Sequence, residues 1–351
     1  MEQEILTHLL NSRGPISGEW LAETFQVSRN AVWKAVQKLK AQGYQISAVQ
    51  NRGYQLVARE NPLHVSEIRS HLPSELQSLP IVVRGTVTST NSLLKAEGEK
   101  GDQGEMVLAA QAQTEGRGRL GRSFFSPEKT GLYLSFLLRP KGTAAEGTFL
   151  TTAAAAAVAE AIEAVTGRET RIKWVNDLYM EGKKVCGILT EGALNYETNG
   201  LYYAVLGIGI NVFVPQGGFS TELTEIAGAL YTREREATAP EGVRNRLAAE
   251  IIRRFYGYYQ APDPKSHMRA YRSRSFLTGL RVTVRQGNAR IQGVVTGIDE
   301  AAALMVERTD RPGVTERFCA GEVTLEKDFL RSLAQTAGKE PMLGQDEDAT
   351  R

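Results

Sequence analysis

The segment Gly116–Arg122 interleaves three arginines with three glycines, and apolar stretches flank it at Met106–Ala112 and Leu132–Leu138. Glycine lets the backbone approach a ligand closely, and each guanidinium offers a planar set of donors to a phosphate or carboxylate. In isolation, such a run is typical of a solvated basic loop or of an RGG-type nucleic-acid patch. Because predicted strands enclose this one, we predict an anion-binding loop that is mobile when empty and closes over its ligand.

The length of 351 residues predicts two or three domains with a sizeable core, and a net charge of +2 requires no polyanionic partner. Cys186 and Cys319 lie far apart and form no metal or redox motif. Together with an N-terminal segment that lacks a signal-peptide pattern, they predict a cytoplasmic protein. The most apolar helical run, Leu150–Ile162, is too short and too rich in alanine to span a bilayer, so we expect no membrane partner.

Residues 1–62 show the pattern of a winged helix-turn-helix domain. Apolar residues at helical spacing predict one helix over 1–10 and two more after the capping residues Ser17 and Ser28, and two short strands then form the wing. Residues of types that contact phosphates and base edges lie on the outward face of the third helix and at the wing tip: Ser28, Arg29, Asn30, Trp33, Lys34, Gln37 and Arg52. A protein-contact module with a solvated basic face is the alternative. We favour operator DNA, bound by a dimer.

Strands and helices alternate over residues 63–275, which predicts an α/β domain with a mixed sheet. An alanine-rich helix over Thr151–Val165 must lie against that sheet. Five segments carry polar or glycine-rich patterns: Ser89–Asn91, Gly116–Arg122, Lys173–Asp177, Lys184–Leu189 and Gly207–Asn211. The pattern at Ser89–Asn91 is also explained if Thr90 or Asn91 caps a helix over 92–97. The pattern at Lys173–Asp177 is also explained by a strand that ends in a turn.

Residues 276–330 contain short strands at regular spacing, which predicts a small β domain. The polar segment 331–351 has a late acidic run and predicts a disordered tail.

The five central segments, in this order, resemble the catalytic core of biotin protein ligases. With the winged helix in front, the chain resembles the bifunctional class, which unites a biotin ligase with a biotin-operon repressor. The resemblance implies an α+β multidomain fold of a winged helix-turn-helix, an α/β catalytic domain and a C-terminal SH3-like β-barrel. It also implies ATP-dependent formation of biotinyl-5′-AMP with Mg²⁺, and biotin transfer to a lysine of the biotin carboxyl carrier protein of acetyl-CoA carboxylase. As a homodimer on operator DNA, such a protein represses genes of biotin synthesis and uptake in response to biotin.

The resemblance also assigns roles to individual residues. Arg119 and Lys184 would be catalytic, with Lys184 on the biotin carboxylate and an α-phosphate oxygen. Biotin would contact Ser89, Thr90, Asn91, Gln113, Gly116, Arg117, Arg119, Lys184 and Gly187. The nucleotide would contact Arg117, Arg119, Arg122, Phe124, Asn176, Lys184 and Asn211, and Asp177 would hold Mg²⁺. Phe124 stands where the family often has tryptophan, which removes an indole donor.

Two other functions stay open at this point. One is a biotin-sensing regulator without ligase activity, which the presence of both Arg119 and Lys184 disfavours. The other is a lipoate ligase, which shares the core fold and the adenylate chemistry. The Gly/Arg loop and the N-terminal winged helix favour biotin over lipoate.

Overall fold

The computed structural model describes residues 1–12, 14–41, 44–50, 52–59, 62–141, 147–195 and 200–325. Within these residues the chain forms an N-terminal helical unit with a two-stranded sheet, then a seven-stranded sheet, then a five-stranded sheet. The tail predicted over 331–351 lies outside the described residues.

The N-terminal unit has the predicted helix and hairpin order: α1 (Glu2–Asn11), α2 (Gly18–Thr24), α3 (Arg29–Ala41), β1 (Tyr44–Val49) and β2 (Gly53–Arg59). The Ser17 hydroxyl accepts hydrogen bonds from the backbone N–H groups of Glu19 and Trp20, and the Ser28 hydroxyl accepts one from Ala31. Both predicted caps are therefore confirmed. The three helices bury a common core whose members include Ile5, Leu6, Leu21, Val32, Val36 and Leu39.

The central region contains α4 (Val65–Ser70), β3 (Ile81–Val87), α5 (Thr90–Lys100), β4 (Met106–Gln113), β5 (Gly131–Leu138), α6 (Gly147–Thr166), β6 (Arg171–Lys173), β7 (Asp177–Met180), β8 (Lys183–Asn195), β9 (Gly200–Asn211), α7 (Thr221–Thr224), α8 (Val243–Tyr259) and α9 (Met268–Arg274). Its strands follow the order β3-β4-β5-β9-β8-β7-β6. Strands β3 and β4 are parallel, and the other neighbours are antiparallel. The predicted mixed sheet is confirmed.

The two faces of this sheet differ because β9 alternates glycine with isoleucine. Ile208 and Ile210 are buried in the core that contains α6 and α8. Gly207 and Gly209 point to the opposite face, where they pair with Ser135 and Tyr133 of β5. Helix α5 covers part of that second face. The glycines project no side chain of their own on this face, so side chains from other segments can approach the backbone there.

Helix α5 begins earlier than predicted. Ser89 is its N-cap, and the Ser89 hydroxyl accepts from the backbone N–H of Ser92. Capping by Thr90 or Asn91 was therefore the wrong assignment, since both residues lie within the first turn. Their side chains are free to point toward the sheet.

Helix α6 is also longer than predicted and spans 20 residues, Gly147–Thr166. By length and composition alone it could cross a membrane, which the shorter run Leu150–Ile162 did not suggest. However, 67% of its apolar window is buried inside the fold. Its alanines allow close packing against the sheet, and the helix belongs to the core.

The C-terminal region has five antiparallel strands: β10 (Arg281–Gln286), β11 (Ala289–Ile298), β12 (Leu304–Arg308), β13 (Thr315–Phe318) and β14 (Glu322–Leu325). Their order is β13-β12-β11-β10-β14, so β13 and β14 are the two edges. Over the residues described to Leu325, these edges do not pair with each other and the sheet is open. The closed SH3-like barrel is not confirmed.

The buried Asn245 and the half-buried Gln111 bind the backbone of residues 62–64, which precede α4. Asn245 accepts from the backbone N–H of His64 and donates to the carbonyl of Pro62, each at 2.8 Å. Gln111 of β4 donates to the carbonyl of Leu63 at 2.9 Å and accepts from its N–H at 3.3 Å. Residues 62–64 are thus held by specific, partly buried hydrogen bonds to side chains of α8 and β4.

Candidate active site and DNA-binding face

The Gly/Arg segment forms a short hairpin. The N–H of Gly118 donates to the carbonyl of Arg122 at 2.7 Å, and the N–H of Phe124 donates to that of Gly116 at 2.8 Å. At the tip, Leu120 and Gly121 both adopt the left-handed region, with φ of 56° and 73°. Two consecutive residues of this kind fit a tight hairpin turn, and a glycine at position 121 makes the turn easier to form.

Position 116 requires glycine because neighbouring atoms approach its backbone closely, and not because of its backbone angles. A Cβ atom at this position would lie 2.3 Å from the carbonyl oxygen of Phe124 and 2.6 Å from the Ser126 hydroxyl. It would also come within 3.1 Å of the Gln113 amide. Any larger side chain must therefore push the two arms of the hairpin apart.

The Phe124 ring lies on a floor of glycines. A Cβ on Gly209 would lie 2.5 Å from this ring, and one on Gly187 would lie 3.5 Å from it. Gly187 and Gly209 are direct neighbours on β8 and β9. The ring also contacts Tyr133 edge-on, with centroids 6.5 Å apart. The aromatic side chain that follows the hairpin thus seats on bare backbone of the sheet.

A chain of hydrogen bonds links the start of α5 to the base of the hairpin. The Gln113 amide oxygen lies 2.9 Å from the backbone N–H of Thr90 and 3.1 Å from the Thr90 hydroxyl. The Gln113 amide nitrogen donates to Ser126, and Ser126 donates to the carbonyl of Phe124. On the other side, the hydroxyl of Ser135 lies 2.7 Å from both the Thr90 hydroxyl and the Asn91 amide oxygen.

Arg119 at the hairpin tip connects two regions of the molecule. It donates to the amide oxygen of Asn176 at 2.9 Å and to the carbonyl of Gly321, just before β14, at 3.2 Å. Arg122 forms an ion pair with Glu322 at 2.6 Å. The hairpin therefore lies between the seven-stranded sheet and the C-terminal sheet. A further contact between the two regions is the hydrogen bond from the Trp174 indole to the carbonyl of Ala302, both of which lie in connections between strands.

Lys184 forms an ion pair with Asp177, with 2.6 Å between the nitrogen and oxygen atoms. Its geometry is that of a charge contact rather than a directed hydrogen bond. Among the residues that the structure describes, no three His, Cys, Asp or Glu side chains cluster as a metal site would require. Asp177 is already paired with a cation, and Mg²⁺ sites of one or two carboxylates normally take further ligands from substrate phosphates.

Burial shifts the pKa of several groups around the site. It lowers the pKa of Lys173, which lies near Asp177 and Lys184. It raises the pKa of Tyr133 to about 12, so this phenol stays protonated and donates to the carbonyl of Pro127 at 2.8 Å. It also raises the pKa of the buried Cys186 thiol. Cys186 is therefore a packed neutral side chain and no nucleophile.

Most of the predicted DNA-binding residues of the N-terminal unit are exposed. On α3, Arg29, Asn30 and Lys34 are exposed, and the Trp33 side chain is 50% exposed. Ser28 caps the helix, Gln37 is half-buried, and Arg52 is exposed at the tip of the β1–β2 hairpin. Helix and wing therefore present donors and cations to solvent, as a helix that enters a major groove must.

Comparison with known proteins identifies the family. Residues 83–211 match the biotin/lipoate A/B protein ligase family, and residues 2–55 match an HTH domain. The bifunctional ligase/repressor BirA of Bacillus spizizenii is 32% identical over 292 residues, which is 83% of this chain and 89% of that protein. The chain belongs to the bifunctional ligase/repressor BirA family. A biotin–[acetyl-CoA-carboxylase] ligase of Mycobacterium tuberculosis is 31% identical and is matched over 85% of its length by 67% of this chain.

A solved structure of the family supports the fold of this BirA-family protein. It is the biotin protein ligase from Aquifex aeolicus in complex with biotin and ATP, which is 28% identical. The TM-score is 0.56, and the match covers 70% of this chain and 97% of the other.

The structure brings most of the predicted site residues of this BirA-family protein into one contact network. It includes Thr90, Asn91, Gln113, Gly116, Arg117, Arg119, Phe124, Asn176, Lys184 and Gly187. Ser89 lies at its edge as the cap of α5. Arg122 turns toward the C-terminal sheet, and the Asn211 amide donates to the carbonyl of Gly228.

Sequence reasoning missed four residues of this network: Ser126, Ser135, Glu191 and Glu322. Ser135 carried a usable signal, because it is a polar residue within an otherwise apolar and fully buried strand. The two glutamates gave none. They meet Arg117 and Arg122 only because distant strands are brought to the hairpin.

Proposed function

We propose that the chain is a biotin–[acetyl-CoA-carboxylase] ligase that also represses transcription in response to biotin. The observation that carries the proposal is the Gly/Arg hairpin: it sets Arg119 beside Asn176, next to the glycine floor, in a chain that begins with an HTH domain. Biotin and ATP are the proposed substrates, in agreement with the ligands of the Aquifex aeolicus ligase.

The first step joins two anions. A biotin carboxylate oxygen attacks the α-phosphorus of ATP, the bond to the β-phosphate oxygen breaks, and pyrophosphate leaves. Fixed cations must offset the repulsion between the substrates and stabilise charge that develops on the phosphate. We assign this role to Lys184 and Arg119, with Arg122 near the departing phosphates. Lys184 would exchange its contact with Asp177 for the substrate oxygens.

In the second step, the lysine amine of the carrier protein attacks the acyl carbon of biotinyl-5′-AMP. The bond from that carbon to the phosphate oxygen breaks, and AMP leaves. The adenylate must be shielded from water until the carrier arrives. We assign that shielding to the hairpin, held down by Arg119.

Biotin recognition needs an apolar wall and a few directed polar groups. We propose that Ser89, Thr90 and Gln113 bind the ureido group, assisted by Asn91 and the backbone of Gly116 and Arg117. The floor at Gly187 would line the ring. The hydrogen-bond chain that joins Thr90 to Gln113 supports this assignment.

We propose that the nucleotide contacts Asn176, Asn211 and Phe124 in addition to the cations. Mg²⁺ would enter with the ATP phosphates as part of the substrate, because such sites use one or two carboxylates plus phosphate oxygens. Asp177 would contribute only when its pair with Lys184 opens.

For repression, we propose that two copies form a homodimer that places two winged helices on a two-fold operator. Bound biotinyl-5′-AMP would favour the dimer only if it binds the dimer-competent state more tightly. The carrier protein would meet the monomer with the same surface that forms the dimer.

We also propose a division of the chain into a DNA-binding domain (1–62), a catalytic domain (63–275) and an SH3-like domain (276–330). A cytoplasmic location would give access to ATP and suits two unpaired cysteines, Cys186 and Cys319.

The direct test is incubation of the protein with ATP, biotin and a biotin carboxyl carrier domain. We expect mass spectrometry to find one biotinylated lysine on the carrier. No labelling, with biotin still bound, would leave only a biotin sensor. Labelling by lipoate in a competition assay would favour a lipoate ligase.

Arg119→Ala tests the proposed role of the hairpin. The variant loses a charged hydrogen bond to Asn176, and such bonds contribute about 1.5–3 kcal/mol. We expect calorimetry to show little change in biotin binding, whereas the adenylate escapes about 10- to 100-fold faster. Arg269→Ala, at an exposed position on α9, is the control and should retain the adenylate. An Arg119→Ala protein that retains the adenylate as well would remove Arg119 from this role.

A further inference from the structure

Glu191 lies between the two parts of the candidate site. It is on β8, and one of its carboxylate oxygens accepts from the amide nitrogen of Asn91 at 3.0 Å. The other oxygen lies 3.4 Å from the guanidinium of Arg117 in the hairpin. One partly exposed carboxylate thus touches both the start of α5 and the Gly/Arg hairpin.

The carboxylate fixes the orientation of the Asn91 side chain. An ionised carboxylate can only accept hydrogen bonds, so Asn91 must turn its amide nitrogen toward Glu191. The carbonyl of Leu189 is a second acceptor for this nitrogen, at 3.3 Å. The amide oxygen of Asn91 must then face Ser135, which lies 2.7 Å away in the buried interior of the sheet.

This orientation determines where the neighbouring hydroxyl protons go. Ser135 has one proton, and the amide oxygen of Asn91 can only accept it. The Thr90 hydroxyl has two protein acceptors, the Ser135 oxygen at 2.7 Å and the Gln113 amide oxygen at 3.1 Å. Whichever it uses, its proton points into the protein. A ligand at Thr90 therefore meets oxygen lone pairs.

We propose that Glu191 is a positioning residue for biotin, which orients Asn91 and Ser135 so that Thr90 acts as a hydrogen-bond acceptor for a ureido N–H. The inference rests on the proposed function, in which Thr90 contacts the ureido group. The pair with Arg117 adds a second effect, because it fixes the hairpin backbone at the same edge of the site. Glu191 acts through these neighbours and not on the reacting atoms.

The same geometry predicts selectivity for biotin over lipoate. A ureido group has N–H donors that an acceptor-only Thr90 can bind. The dithiolane ring of lipoate has none, so the oriented network adds affinity for biotin alone. Loss of the orientation should therefore weaken binding of biotin without a matching effect on ATP.

Glu191→Gln is the sharpest test, since glutamine has the same shape but only one acceptor oxygen, so it cannot accept from Asn91 and present an oxygen to Arg117 at the same time. We expect the KM for biotin in biotin-dependent pyrophosphate exchange to rise about 10- to 100-fold, the range for loss of a charged hydrogen bond. The kcat and the KM for ATP should stay within about threefold. An unchanged KM for biotin, or a fall in kcat alone, would overturn the inference.

Two further variants separate positioning from damage to the fold. Glu191→Asp keeps an acceptor-only group, and we expect it to recover at least part of the biotin affinity. Glu160→Gln is the matched control: Glu160 is similarly buried and pairs with Arg254 at 3.0 Å in the helical layer. This control should leave all three kinetic constants unchanged. An Asp variant as weak as the Gln variant, at equal melting temperature, would argue against a role for the carboxylate.

A double-mutant cycle with Ser135→Ala tests the route. If Glu191 acts through Asn91 and Ser135, the Glu191→Gln effect should shrink at least threefold in the Ser135→Ala background, where only the Arg117 contact remains to be lost. An effect of full size would show that the hydrogen-bond chain is not the route. Wild-type protein without biotin-dependent exchange would instead refute the proposed function itself.

Discussion

Replacement of Gly116 by alanine should disable the hairpin through one methyl group. The new Cβ would lie 2.3 Å from the carbonyl oxygen of Phe124, which belongs to the opposite arm of the same hairpin. Carbon–oxygen contacts of this kind are normally about 3.3 Å or longer, so the arms must separate by about 1 Å. The conflicting atom is backbone, and it cannot move aside as a flexible side chain would.

The cost follows from the contacts that hold the two arms together. A separation of about 1 Å breaks the hydrogen bond from Phe124 to Gly116, now 2.8 Å, because such bonds weaken steeply beyond about 3.2 Å. Overpacking of this size costs about 1–3 kcal/mol of stability. A shift of about 1 Å in substrate-positioning groups costs on the order of 100-fold in rate. We therefore expect kcat/KM for biotin to fall about 100-fold with a modest loss of stability.

Biotin-dependent pyrophosphate exchange measures this rate, and Gly118→Ala is the matched control. A Cβ on Gly118 meets nothing nearer than 3.4 Å, and its φ of −121° suits any residue. The control should keep kcat/KM within about threefold of wild type, since no contact must move. The reasoning is refuted if Gly116→Ala keeps the wild-type rate or if Gly118→Ala loses as much.

Three more predictions follow from contacts outside the hairpin. Asn245→Ala removes the partner of two part-buried backbone groups, the N–H of His64 and the carbonyl of Pro62, and chemical denaturation should show a loss of about 1–3 kcal/mol; a change below about 0.5 kcal/mol would mean that the segment is held elsewhere. Burial lowers the pKa of His267 to about 4, below its ordinary 6.5. The stability that the neutral imidazole contributes is therefore present above pH 6.5 and is lost as pH falls toward 4. In His267→Gln, the melting temperature should depend less on pH over this range. Trp33→Ala should weaken operator binding about tenfold in fluorescence anisotropy with ligase activity unchanged, and a joint loss of both would contradict separate sites.

Much of the fold could be predicted from local patterns in the sequence. The serines at 17 and 28 cap their helices because a side-chain oxygen next to free N–H groups needs no distant partner. The alternation Gly207-Ile208-Gly209-Ile210 divides a strand into a core face and an open face because side chains alternate with a period of two. Helix ends were less accurate: α6 starts at Gly147, where packing against the sheet extends it beyond the apolar run.

For the candidate site too, the sequence predicts some features, and others can be seen only in the structure. The composition of Gly116–Arg122 predicts an anion-binding loop. The proposed roles of Arg119 and Lys184 come from the resemblance to biotin protein ligases. The partners of the hairpin arginines were not predictable, because Asn176, Glu191 and Glu322 come from segments that lie far apart in the sequence. Nothing in the spacing along the chain encodes which strand lies beside the hairpin.

The sequence by itself predicted most of the elements and their order, because helix caps, strand alternation and glycine content act over a few residues. Only the tertiary structure decided that Glu191 meets Asn91 and Arg117, and that the C-terminal sheet contacts the hairpin tip. Hydrogen-bond direction and charge pairing depend on atoms within about 3 Å of one another. Such distances between remote segments are fixed by strand order and packing alone.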